Sequence, residues 1–259
     1  MLFGKCFFGN AFLKNAFFKS LFLNPLRFNP FPIVLDRTLT LFFNGSQSLY
    51  VDGLAWTATQ TSTWLPLAVI LFYVFLRNNT LSGTARIVLS FALCILLADQ
   101  VASSLFKPMV ARWRPTNNPE FMYMVDVVRS YRGGNYGFFS SHAANTMAVA
   151  TFVALLLKSR SVTYWLYSWV ILNCWTRVYL GVHYIGDLTV GCIWGALVGW
   201  GIYRLLIEKW QKQNLQNGSM FVSSCTTATG YTQRSLHIFI ASILITYLFI
   251  AFKALSFQG

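Results

Sequence analysis

The chain has 259 residues, of which 56% are hydrophobic, 17% aromatic and only 10% charged, with a mean hydropathy of +0.52. A soluble domain carries about 25% charged residues, so this composition excludes an ordinary water-soluble globular protein and points to lipid as the solvent. The net charge of +13, from 20 Lys and Arg against 7 Asp and Glu, would suggest nucleic acid in a soluble protein; here Lys- and Arg-rich cytoplasmic loops and anionic headgroups account for it, and no nucleic-acid partner is expected.

Residues 1–35 are rich in Phe, broken by Lys5, Lys14 and Lys19 and followed by Pro25, Pro30 and Pro32. Positive charge inside an apolar run, without a small-residue cleavage site, does not fit a signal peptide. The pattern predicts an amphipathic segment in the membrane interface, which residues 36–52 continue, so that 1–59 form one interfacial unit. Apolar runs follow at 53–76 (densest over Trp64–Leu76), 87–106 (with Asp99 inside), 143–157, 161–176, 188–203 and 235–252. A span needs roughly 17–25 residues, so the shorter runs must take in polar neighbours. The runs are continuous rather than alternating, which argues against a β-barrel. The expected fold is an all-α integral membrane protein: a six-transmembrane helix bundle with the N-terminal interfacial segment. Its core covers 60–207, a flexible cytoplasmic linker 208–234, and a last helix lies within 235–259.

Loop charge orients this bundle. Arg77 and Arg86, Lys158 and Arg160, and Arg204, Lys209, Lys212 and Arg234 fall on one side if the spans alternate, and positive charge makes that side cytoplasmic. The connections 107–141 and 177–187 then share the outer face. The basic N-terminal segment would also lie outside, against the charge rule; either it rests on anionic lipid there, or a further crossing precedes residue 60. Cys6, Cys94, Cys174, Cys192 and Cys225 have no paired spacing and suggest neither a zinc site nor a disulfide framework.

Three pieces on the outer face carry chemistry. Lys107 and Arg114 close the second span, bracketed by Pro108 and Pro115. A point charge and a planar fork can grip a tetrahedral phosphate from two directions, although Lys and Arg at helix ends also serve as interfacial anchors. Next, Gly133-Gly134-Asn135-Tyr136-Gly137-Phe138-Phe139-Ser140-Ser141-His142 runs into an apolar helix. Glycines permit close backbone approach, Ser140 or Ser141 can cap the helix, and a helix N-terminus favours an anion; an ordinary capped helix with an interfacial histidine fits the same residues. Third, Thr176-Arg177 is followed by His183 and, four residues on, Asp187. That spacing puts imidazole and carboxylate on one face if a helix begins there, and a carboxylate on one ring nitrogen leaves the other free to attack. Gly191, Gly195 and Gly199 then repeat every four residues, a helix-packing pattern.

Read together, the three pieces resemble the type 2 phosphatidic acid phosphatase superfamily, whose signature is K-x6-R-P, P-S-G-H and S-R-x5-H-x3-D. Lys107, Arg114 and Pro115 match the first in full; Phe139-Ser140-Ser141-His142 matches the second with Phe for Pro and Ser for Gly; Thr176-Arg177, His183 and Asp187 match the third with Thr for Ser. The resemblance implies His183 as nucleophile forming a phosphohistidine, Asp187 orienting it, and His142 as general acid. It implies a phosphate held by Lys107, Arg114, Arg177 and Ser140 with nearby backbone N–H groups, Ser141 standing where the family has Gly. It implies no metal or other cofactor.

The expected activity is therefore a phosphatase acting on a membrane lipid phosphate, in a bacterial inner membrane with the site facing the periplasm. Lipid A phosphate and undecaprenyl diphosphate rank close together as substrates, ahead of phosphatidylglycerol phosphate and phosphatidic acid. The wording Gly-Phe-Phe-Ser-Ser-His-Ala-Ala-Asn is similar to sequences from Bacteroidetes-type bacteria, which tilts the choice to lipid A. The aromatic and basic loop 120–132 either meets the headgroup or forms an interfacial belt. Asp99 inside the second span is either functional or paired with a neighbouring helix. The competing class is a non-catalytic lipid-phosphate binding or transport protein, against which stands the absence of an internal repeat.

Overall fold

The computed structural model describes residues 33–217 and 225–258. Four helices start where the sequence offers a capping oxygen: Thr80 accepts from Gly83 N, Ser140 from Ala143 N, Ser159 from Val162 N and Thr232 from Ser235 N. These hydroxyls satisfy N–H groups that a first helical turn leaves free. The helices are α1 (Ile33–Phe43), α2 (Leu49–Thr59), α3 (Leu65–Asn78), α4 (Leu81–Val110), α5 (Ser141–Leu157), α6 (Arg160–Tyr179), α7 (Ile185–Gln216) and α8 (Gln233–Ala254). The protein is an all-helical integral membrane protein.

By length and apolarity α4, α7 and α8 can each cross a membrane, and so can α2 with α3 if that pair is one span bent by 69°. The expected six transmembrane helices are thus not all reached by length and apolarity: α6 is long enough but less apolar than the others, with Arg160 and Arg177 at its ends, and α5 is too short. Helix α5 has only 17 residues, and 11 of them are buried against α4, α6 and α7, so its length answers to protein neighbours rather than to lipid. The bend at Gln60 divides the first apolar run. Thr63 Oγ1 bonds Thr57 O at 2.7 Å and Trp64 Nε1 bonds Ala58 O at 2.8 Å, which satisfies carbonyls the break leaves free.

The glycine repeat of α7 faces α5. A Cβ on Gly191 would stand 2.6 Å from Ser140 O, and Cβ atoms on Gly195 and Gly199 would collide with the carbonyls of Ala144 and Ala148. This close packing holds the starts of α5 and α7 side by side. Gly195→Val is expected to destabilise the protein by about 1–3 kcal/mol and to lower its thermal midpoint in detergent; an unchanged midpoint would contradict the packing.

Two expectations on the outer parts of the chain need correction. The interfacial segment 1–59 falls mostly outside the described residues up to 32; its described part, α1 and α2, does more than lie on a surface, because Asp36 is buried. The flexible linker 208–234 is ordered where it is described. Helix α7 runs on to Gln216, its polar last turns tied by Arg204–Glu208 and Lys212–Glu208 ion pairs at 2.6 and 3.0 Å. Such i,i+4 pairs support a helix whose composition alone reads as loop. The turn before α8 is anchored too, with Tyr231 fully buried and Thr229 Oγ1 donating to Leu157 O.

Candidate active site

The site forms where α4 and α6 end and α5 and α7 begin. Lys107 follows a π-helical stretch, Val101–Phe106, in α4, a local widening that re-aims the side chains after it. Its Nζ donates to Ser103 Oγ and Ser141 Oγ at 3.3 and 3.0 Å. Ala111, at φ 48°, turns the chain out of α4, and Arg112–Arg114 then run alongside the glycine loop, with Arg114 N on Asn135 O and Gly137 N on Arg112 O. Arg114 is nearly buried and donates to the carbonyls of Tyr136 and Val182, each at 3.2 Å. Arg177 is 3% exposed; it donates to Thr59 Oγ1 at 2.7 Å and to Tyr131 Oη at 3.5 Å.

All of these partners are neutral. Among the described residues no carboxylate lies within ion-pair distance of Lys107, Arg114 or Arg177. Burying a cation without a counter-charge is costly, and burial together with the neighbouring Arg177 pushes the Arg114 pKa down. An anion placed among the three would relieve this cost.

His183 stands beside them in the turn before α7, 1% exposed, with Nε2 3.4 Å from Arg114 Nη1. Its Nδ1 is 3.5 Å from Asp187 Oδ2, at ion-pair distance but without hydrogen-bond geometry. The two are not stacked on one helix face. Helix α7 starts only at Ile185, and Asp187, in its first turn, reaches back to accept from the N–H of the capping residue Tyr184 at 3.1 Å. Burial first, then Arg114, Arg177, Lys107 and His142, hold His183 well below its ordinary pKa, so it is a neutral imidazole at physiological pH. Gly137 lets the loop close over this pair, since a Cβ there would stand 3.0 Å from Asp187 Oδ2.

The remaining sequence-predicted residues lie here as well. Ser140 is fully buried, its hydroxyl used as the cap of α5 and its N–H on Asp187 O. Ser141 holds Lys107, and His142 opens onto a cavity beside them. In loop 120–132, Tyr131 reaches the site, whereas Arg129 is tied to Gln258 O at 2.7 Å and Arg132 to Thr116 O at 2.6 Å. Cys174 and Cys192, without paired spacing in the sequence, come within 3.7 Å across α6 and α7.

Sequence reasoning missed Arg112, Asp36 and Thr59. Arg112 bridges two buried carboxylates, Nη1 to Asp187 Oδ1 and Nη2 to Asp36 Oδ2, both at 2.6 Å. It also lies over the Tyr184 ring at 4.2 Å. Asp36 further accepts from Gly186 N at 2.9 Å. This fork fixes Asp187 from behind while Asp187 faces His183, and the two acids hold Arg112 charged against its burial. No local signal marks Asp36, which lies in α1 and meets the site only through the fold. Asp36→Asn is expected to lower kcat about tenfold, which is roughly 1.4 kcal/mol of barrier, with KM little changed. An unaltered kcat would remove Asp36 from the support of Asp187.

Known proteins carry the same arrangement of sequence. The pattern of the PAP2 superfamily matches residues 83–211, a range holding every motif residue from Lys107 to Asp187. The lipid A 4′-phosphatase of Porphyromonas gingivalis is 35% identical over 174 residues, covering 67% of this chain and 73% of that protein. The lipid A 4′-phosphatase of Bacteroides thetaiotaomicron is 38% identical over 171 residues, covering 65% and 76%. Among solved structures, a transmembrane PAP2-type phosphatidylglycerolphosphate phosphatase from Bacillus subtilis superposes with a TM-score of 0.52 at 20% identity, over 76% of this chain and 95% of that one; this likeness concerns the fold. With extended identity to two phosphatases and the family pattern laid over the whole cationic site, the chain belongs to the PAP2 superfamily.

Proposed function

We propose that this membrane lipid phosphatase removes a phosphate from lipid A, the 4′-phosphate named for its two relatives, through a phosphohistidine at the outer face of the inner membrane. The observation that carries the chemistry is a trio of cations without carboxylate partners, Arg114 and Arg177 buried and Lys107 half-buried, around a neutral imidazole backed by Asp187. Lys107, Arg114 and Arg177 hold the phosphate oxygens, aided by the N-terminus of α5. His183 Nε2 attacks phosphorus, the bond to the sugar oxygen breaks, and His142 protonates that oxygen as it leaves. Water then attacks the phosphohistidine, His142 takes its proton, and inorganic phosphate departs with His183 restored. Charge stabilisation by fixed donors is the main aid to such a transfer.

In this reading all six apolar helices, with α2–α3 as one, cross the membrane, α5 within the shelter of its neighbours. The basic turns after α3, α5 and α7 then lie on the cytoplasmic side. The test is phosphate release by the purified protein, with chelator present, from lipid A, undecaprenyl diphosphate, phosphatidylglycerol phosphate and phosphatidic acid. Lipid A is expected to be the best substrate by kcat/KM. A higher kcat/KM on another lipid would reassign the substrate, and dependence on added metal would overturn the mechanism.

A further inference from the structure

Beneath His142 and Ser141 a cavity of about 360 Å³ runs down between the helices, within the size range of small-molecule sites. Its walls are mostly apolar, with Leu71, Phe91, Val149 and Trp169 among them; Asp99 and Asn145 stand among the polar residues that interrupt them, together with Thr59, Thr61, Thr146 and Asn173. Asn145 Nδ2 donates to Asp99 Oδ1 at 3.4 Å, and Ser103 Oγ donates to the same oxygen at 3.5 Å. Ser103 also accepts from Lys107 at 3.3 Å, so the pair sits one side chain away from a phosphate-gripping cation. Two acceptors are left over. Asn145 Oδ1 is buried with no partner, and Asp99 Oδ2 meets no donor among the described residues. Inside a membrane-spanning bundle, unpaired acceptors are unfavourable and mark function.

Resting on the lipid A reading, we propose that Asp99 and Asn145 form a second recognition site for the substrate. They accept hydrogen bonds from hydroxyl or amide N–H groups close to the phosphate-bearing carbon, while an acyl chain from the same lipid fills the apolar cavity below. The ligand class is an acylated amino sugar phosphate, which carries an amide N–H. Phosphatidic acid and polyprenyl phosphates have no such donor next to their phosphate. The site thus selects by hydrogen bonds that a donorless lipid leaves unmade.

The test compares the full-length enzyme with Asp99→Asn and Asn145→Leu on lipid A and on phosphatidic acid, with inorganic phosphate as competitive inhibitor. Each substitution is expected to raise KM for lipid A about tenfold, equivalent to 1.4 kcal/mol, with kcat, KM for phosphatidic acid and the inhibition constant of phosphate held. Equal losses on both lipids, or weaker inhibition by phosphate, would reduce the pair to a support for Lys107 and overturn the proposal. A preference for lipid A that survives both substitutions would refute this second site alone, whereas a wild-type enzyme without that preference would refute the substrate assignment on which it rests. Asp99→Asn keeps the shape of the side chain, so the comparison stands if Asn145→Leu fails to fold.

Discussion

His183→Ala should leave a folded protein that binds phosphate and turns over about 10^4-fold more slowly or worse, a loss of roughly 5 kcal/mol of transition-state stabilisation. The substitution removes the only group at the site with a free ring nitrogen beside Arg114 and a carboxylate behind it. Of the three cationic side chains only Arg114 touches the His183 ring, and it keeps its bonds to the carbonyls of Tyr136 and Val182, while Lys107 and Arg177 are held by other side chains, so the cationic cradle should persist. Calorimetry with inorganic phosphate and single-turnover assays on a lipid phosphate separate the two properties. Turnover within tenfold of wild type would exclude a phosphohistidine on this residue. Lost phosphate binding would instead make His183 part of the cradle.

The second large effect concerns the leaving group. If His142 protonates the departing oxygen, His142→Ala should cost about 10^2- to 10^4-fold on a sugar phosphate, the usual worth of a general acid. An aryl phosphate whose phenol leaves without a proton should escape most of that cost in the first step. Position favours the role: His142 lies in the first turn of α5, next to Ser141 on Lys107, and opens onto the cavity beneath the phosphate site. Equal losses on both esters would assign His142 to binding or to the hydrolytic second step.

The first-described residues of the site were legible because motif chemistry is local. Lys107 and Arg114 are seven positions apart, Arg177 and His183 six, and His183 and Asp187 four, and a helix end or a tight turn keeps such neighbours together. Helix caps read equally well: a hydroxyl before an apolar run has few other uses. The relation of His183 to Asp187 was legible in its pairing and misread in its geometry, since a helix-face argument assumed a helix already present at 183. The sequence 208–216 was misread for the opposite reason. Its polarity suggests a linker, but Glu208 bridges Arg204 and Lys212, and buried Gln211 donates to Leu156 O.

Composition and pattern determined that this is a helical membrane protein, and the spacing of its cations and histidines, through the family motif it resembles, that it is a phosphatase. Those properties follow from apolar runs of membrane length and from residues close along the chain, where spacing carries geometry. Only the tertiary structure decided that Asp36 and Arg112 brace Asp187, that Thr59 at a helix break and Tyr131 in a loop hold Arg177, and that Asp99 and Asn145 look into a cavity below His142. These contacts join segments far apart in sequence. No periodicity or spacing encodes them, and they arise only once the close packing of α5 against α7 has fixed where each helix ends.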